Sequence, residues 1–447
     1  TIVSVALSPL GQGLFGPHTA QTPTPTGIVS NKPGTTPSVK SGSTPTVTPA
    51  KNGSGTPSTG STTGVPATTT TCPAAGTARA AVTAPLSRGS DPVIIYIVNE
   101  GSQSTPPTTG TLKRYDTVTG AKTEIVKMPN TIITEAQVSA DGSWILFTVT
   151  VSGQYQLRMV RVDGQGLQTL LCAPSGNHIS GSQWSLNQQL VVFDSGPEVG
   201  APSVYLLNTT NGSLQTELVP QSSGPGFIPR TWLDKTRVLM IGFQPNSDAP
   251  PQNVYLLDTS KGANQQSSDL QQAVTISQRC WDFDSNGDST KLYVSQCTSG
   301  QPNGSGTISV QPATGGTQST IFSSSTLAIT SVRTVDLAST TLLFTASNTG
   351  QGVSGDTSQD GLWKVKTDGT GLTRLTTNGN GEVGILNQFS QYFWSNLSRD
   401  GSMYALQVTN YSSNTYTLLF GSLKGGSPTN FASISGTQLE IAGWTTL

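Results

Sequence analysis

Histidine is almost missing from this chain: His18 and His178 are the only two among 447 residues. A hydrolase built on Ser, His and Asp would have to use His178, and no Gly-x-Ser-x-Gly segment is present to carry its serine. A zinc site needs several His or Cys ligands close together, and neither residue type clusters here. His178, in "SGNHISG", reads as a loop residue without a special role. These absences argue against an enzyme.

Charge is also scarce. Asp, Glu, Lys and Arg make up 11% of the chain and the net charge is −1, so no overall field draws in nucleic acid or an anionic membrane. The little charge there is lies unevenly. Residues 1–90 hold five basic side chains (Lys32, Lys40, Lys51, Arg79, Arg88) and no acid, leaving 18 basic and 24 acidic residues, a formal −6, for 91–447. No run approaches the eighteen or so apolar residues of a membrane helix. A start at Thr1 with no Met and no basic n-region reads as a processed chain.

What is present falls into three parts. Residues 1–21 open with "TIVSVALS", β-branched and uncharged, whose Ile2, Val3, Val5 and Leu7 suit pairing with an open sheet edge on another molecule. Residues 22–90 are a Ser/Thr/Pro/Gly-rich tract with too few large apolar side chains to offset its ordering entropy, a spacer or stalk. Residues 91–447 repeat one phrase seven times. "VRVDGQGLQTLL" (160–171) and "VKTDGTGLTRLT" (365–376) are its clearest copies.

Each copy reads as a strand, a tight turn and a second strand, with glycine supplying the positive φ the turn requires. The turn glycines are Gly120, Gly164, Gly212, Gly262, Gly315, Gly369 and Gly425, spaced 44 to 56 residues apart. A second hairpin lies between copies, best seen in "AQVSADGSWILFTV" (136–149). Two hairpins per period of about 50 residues predict an all-β fold, a seven-bladed β-propeller. Six or eight blades would require one copy to be spurious or missed. "LEIAGWTTL" (439–447) matches a blade-opening strand, so it is expected to complete the first blade and close the ring.

"VSADGSWILF" followed by "LRMVRVDGQGLQTLL" resembles the TolB-type propeller repeat. The match is best at 136–171 and 360–377, fair at 396–420, and does not extend to residues 1–90. The resemblance implies an extracytoplasmic or secreted propeller that binds macromolecules, and it brings no catalytic residues.

One string has the look of a cation loop. In "DFDSNGDST" (282–290), Asp282, Asp284, Asn286 and Asp288 alternate as in calcium loops, though Tyr293 stands where the bidentate acid belongs. A polar hairpin turn explains it equally. Calcium is the only cofactor the sequence suggests.

The four cysteines allow three pairings. Cys280 and Cys297 flank a strand-turn-strand segment that would set them opposite each other, in keeping with an oxidising compartment. Cys72 and Cys172, if joined, would pin the spacer to a blade's outer edge, within one chain or between two. Trp184, Trp232, Trp281 and Trp444 recur near the first hairpins of their blades, as inter-blade packing would require. Six Asn-x-Ser/Thr sequons and the Thr/Ser tract leave room for glycans.

Together these readings predict an extracellular or cell-surface structural protein. Its partners would be further copies of itself or cell-envelope macromolecules, with assembly into a filament or surface layer through the N-terminal extension. A stalked propeller that binds a peptide or glycan at its mouth is the second expectation, and a hydrolase a distant third.

Overall fold

Each copy of the repeated phrase is the outer hairpin of a four-stranded antiparallel sheet, and there are seven such sheets. The structure, a computed structural model, describes residues 66–101, 109–197, 200–221, 224–244, 253–278, 280–298, 304–335, 340–346, 349–350, 353–354, 357–376, 392–410 and 415–447. Ile2, Val3, Val5 and Leu7 lie outside them, as does His18.

Blade I joins the two ends of the propeller chain. Its innermost strand is Gln438–Thr446, followed outward by Pro92–Glu100, Thr109–Asp116 and Lys122–Pro129. Gln438–Thr446 pairs with Pro92–Glu100 from Pro92 opposite Thr446 to Asn99 opposite Gln438, which closes the ring as the sequence predicts. Blade II runs Thr131–Val138, Trp144–Val151, Gln154–Arg161 and Gln168–Cys172 from axis to rim. Blades III to VII repeat the pattern from inner strands Asn177–Trp184, Gly226–Trp232, Cys280–Ser285, Ile329–Thr334 and Tyr392–Leu397.

The core lies between blades. Strand Pro92–Glu100 is apolar on both faces because it is covered on both: Val93, Ile95 and Ile97 pack toward blade II, against Ile133, Ile145 and Phe147. Ile94, Tyr96 and Val98 pack toward blade VII, against Ala405, Leu418 and Phe431. Trp184, Trp232, Trp281 and Trp444 are all buried, and the Trp232 indole N–H donates to the Gln183 carbonyl of the preceding blade at 3.1 Å.

The repeated Asp-Gly phrase has a packing cause. A Cβ on Gly164 would stand 2.5 Å from the Ile125 carbonyl oxygen on the outer strand of blade I, and one on Gly369 would stand 2.5 Å from the Ile321 carbonyl oxygen on the outer strand of blade V, Ser319–Ser324. Both glycines also take positive φ, 91° and 82°. In each copy the preceding aspartate holds the turn, Asp163 accepting the Gln165 N–H and Asp368 the Thr370 N–H. Only glycine meets both demands.

Residues 66–90, expected to be part of a free spacer, lie packed on the propeller. Cys72 is disulfide-bonded to Cys172 of the same chain. The Thr69 N–H donates to the Leu167 carbonyl at 2.8 Å, and the Thr169 N–H returns the bond to the Thr69 carbonyl at 2.8 Å. The strap then turns back: the Arg79 N–H donates to Leu170 and the Ala81 N–H to Thr209, each at 2.7 Å. Gln168 clasps Val82 at both its N–H and its carbonyl. Composition alone offers this segment little burial, and the covalent bond with main-chain pairing along an unpaired edge supplies what its side chains do not.

Candidate functional site

The first strands of blades VII, I, II, III and IV touch in succession around the axis, as do those of V and VI, so side chains on them meet across blade boundaries. Most of these inner strands carry an extra residue against their second strand: blade I at Ala442, II at Thr134, III at Gly181 and Ser182, IV at Arg230 and VI at Thr330. A bulge re-aims a side chain and frees main-chain groups. At blade III the freed groups are answered by the preceding blade, and elsewhere that blade bonds paired residues of the inner strand.

Glu135 of blade II accepts the N–H groups of Gly181 and Ser182 at 2.9 and 3.2 Å. Gln137 accepts the Trp184 N–H at 2.9 Å. Asp284 of blade V does the same for the Thr334 N–H of blade VI, at 2.9 Å. Asn99 clasps Ile133 of blade II through both its carbonyl and its N–H. Carboxylates and amides on the first and second strands thus act as rivets between blades.

Charges alternate over blades IV to VI. Asp282 of blade V lies between two arginines, bonding Arg230 of blade IV at 3.3 Å and Arg333 of blade VI. Burial lowers the Arg230 guanidinium to about 10, with Asp282 opposing the shift. A cleft opens between the inner strands of blades I to IV, lined by Glu135, Gln137, Gln183, Arg230 and Glu440. Burial raises Glu135 to about 7 in spite of its two main-chain donors. Burial and the neighbouring Glu135 charge raise Glu440 to about 8.

His178 is not a loop residue. It opens the inner strand of blade III, and its Nε2 lies 3.1 Å from Oδ2 of the buried Asp194. The Ser180 hydroxyl donates to the same carboxylate at 2.9 Å. Burial raises the Asp194 carboxyl, opposed chiefly by His178.

In the string read as a calcium loop, Asp282 faces two guanidinium groups and Asp284 holds Thr334, while Asn286 and Asp288 bond Thr290 at the hairpin turn. Two arginines beside Asp282 oppose a cation there. Among the described residues, no group of three or more His, Cys, Asp or Glu side chains is placed to hold a metal ion. Cys280 and Cys297 stand directly opposite in register, and Cys297 is disulfide-bonded.

Glu135, Asp194, Arg230, Arg333 and Glu440 did not emerge from the sequence. The available signal was a lone charge inside an apolar blade-opening segment, as in "TEAQV", "IPRTW", "SVRTV" and "LEIAGW".

No family model and no curated protein matches this chain. Solved structures do. TolB from Acinetobacter baumannii is 13% identical, with 62% of each chain covered and a TM-score of 0.39, so this chain spans 62% of the length of that protein. An oligogalacturonate lyase bound to manganese is 11% identical over 76% of this chain and 89% of that one, with a TM-score of 0.48. A prolyl endopeptidase is 12% identical over 82% of this chain and 50% of that one, with a TM-score of 0.51. These neighbours mix chemistries, and the likeness is one of fold: this is a seven-bladed β-propeller.

Proposed function

We propose that the chain is a non-catalytic, extracytoplasmic interaction protein. The propeller is its body, and residues 1–65 are the connector to further copies or to cell-envelope macromolecules. The observation that carries this reading is the strap. Residues 66–90 are bonded to blade II through Cys72–Cys172, so the connector leaves the body from a covalently held point on the rim. A tether that transmits force or position needs such an anchor, and a mere leader does not. The disulfide supports an oxidising compartment. Among the described residues no helix is long and apolar enough to cross a membrane. The polar groups along the axis support a structural role, because Glu135, Asp194, Asp282 and Asp284 are each engaged by protein donors.

Electron microscopy of the purified chain beside a version lacking residues 1–65 tests the reading. The cut is made at 65 because 66–90 belong to the folded body. Assemblies that disappear on truncation support the connector. Single rings in both samples overturn it.

Glu440 favours a second reading, ligand binding at the axis. It lines the cleft beside Glu135 and Arg230, and burial together with the Glu135 charge favours its neutral form. Saturable binding of a peptide or glycan, lost in Glu440→Ala, would support that use.

A further inference from the structure

The strap ends beside the closing strand, and its last residues are held at three points. The Arg161 guanidinium donates to the Pro85 carbonyl at 3.2 Å, and Leu86 packs on the core between blades I and II. Gly89 lies so near Leu447 that a Cβ on it would stand 2.6 Å from the Leu447 carbonyl carbon. Arg88 sits among these fixed points, and its side chain reaches over Gly142, in the turn between the first two strands of blade II.

A second arginine arrives at the same place from another blade. Arg399 lies in the turn after the inner strand of blade VII, and its Nη2 donates to the Ala140 carbonyl of blade II at 2.6 Å. A Cβ on Gly142 would stand 2.7 Å from Arg88 Nη1 and 3.0 Å from Arg399 Nη1. Both guanidinium groups therefore rest over this glycine, no farther apart than those two distances joined end to end. The Gly142 carbonyl accepts the Thr445 hydroxyl at 2.6 Å, which fixes this floor from blade I.

The acids nearby are committed to their own turns. Asp141 accepts the Ser139 hydroxyl and the Ser143 N–H, and Asp400 accepts the Ser398 hydroxyl and the Ser402 N–H. Among the described residues neither arginine forms an ion pair, and Arg88 makes no hydrogen bond. Partial burial and then the Arg88 charge lower the Arg399 guanidinium, with Asp141 opposing. Two cations thus share one spot with no carboxylate bound to either.

We propose that Arg88 and Arg399 form an oxyanion site over the Gly142 turn that takes a phosphate group. A carboxylate offers two oxygens, which a single guanidinium fork fills, whereas a phosphate has oxygens for two forks arriving from different elements. Both residues are exposed, so the phosphate can be free or carried on a larger molecule. The main chain at each arginine is already fixed, by the strap and by the blade VII turn, so binding orders side chains alone. The site stands independently of the connector role of residues 1–65.

Calorimetric titration of the full chain at pH 7 and low ionic strength, with inorganic phosphate and separately with dimethyl phosphate, tests this. Saturable binding is expected, weakened about tenfold or more in Arg88→Gln and in Arg399→Gln. It should be unchanged in Lys122→Gln, which removes a cation from the rim of blade I. Tighter binding of inorganic phosphate supports a free or terminal phosphate as the ligand, and equal or tighter binding of the diester supports one linked within a headgroup or polymer. Absence of saturable binding to both, or equal binding in the native chain and Arg88→Gln, would overturn the site. Arg88→Gln removes no hydrogen bond, so it decides the matter even if Arg399→Gln, which loses the bond to Ala140, does not fold.

Discussion

Cys72 is joined to Cys172 across 100 residues of chain, and Cys172 ends the outermost strand of blade II. The N-terminal extension is therefore fastened to a blade other than the one its own chain goes on to build. Traction on it reaches blade II first, and strand Pro92–Glu100, on which ring closure depends, lies beyond the anchor.

Replacing both residues, Cys72→Ser with Cys172→Ser, should lower stability by about 2–4 kcal/mol, the usual effect of a bond closing a long loop. Guanidinium unfolding measures it. Limited proteolysis should find new cleavage at Arg79 and Arg88, which the strap carries. An unchanged midpoint with intact strap peptides would mean that main-chain pairing alone holds the segment.

The Asp-Gly turns should tolerate no side chain. Gly164→Ala and Gly369→Ala each place a methyl against a main-chain carbonyl and force an L-residue into positive φ. A loss of about 1–3 kcal/mol is expected for each. Gly153, also at positive φ but with open space around its Cβ position, is the control. Its alanine variant should cost less, and thermal unfolding of the three compares them directly.

Glu440 should make the protein more stable in acid than in alkali. Its folded value of about 8 exceeds the ordinary 4.5, so the native state holds the proton longer than the unfolded chain does. Its contribution is complete below 4.5 and is lost as pH rises through about 8. Glu440→Gln should flatten the melting temperature between pH 5 and pH 8.5. A variant curve parallel to that of the native chain would refute the assignment.

Asp282 holds two arginines from flanking blades. Asp282→Ala leaves the buried Arg230 without this carboxylate and should cost about 3–5 kcal/mol. Adding Arg230→Met to that variant should restore part of the loss, because the buried charge is then gone. A denaturant series on the single and double variants reads the coupling.

Local rules decided the blade. Asp-Gly turns, a period near 50 residues and apolar strands are properties of short segments, and they specify hairpins whatever surrounds them. The closing strand was legible for the same reason, since "LEIAGW" has the form of a blade-opening strand and the first copy of the repeat, from "VIIYIV", lacks one.

Tertiary structure decided the axis and the strap. Arg230 meets Asp282 across 52 residues, Arg333 meets it across 51, and Glu135 reaches Gly181 across 46. These spacings follow from the blade period, but the partners depend on which inner-strand residue each bulge turns toward its neighbour. The calcium-like string shows the difference: its carboxylates alternate as a cation loop requires, yet flanking blades supply arginines and an N–H group that occupy them first. Strap residues 66–90 have the composition of a free linker, and they are ordered because a disulfide and an unpaired rim strand replace the burial their own side chains lack.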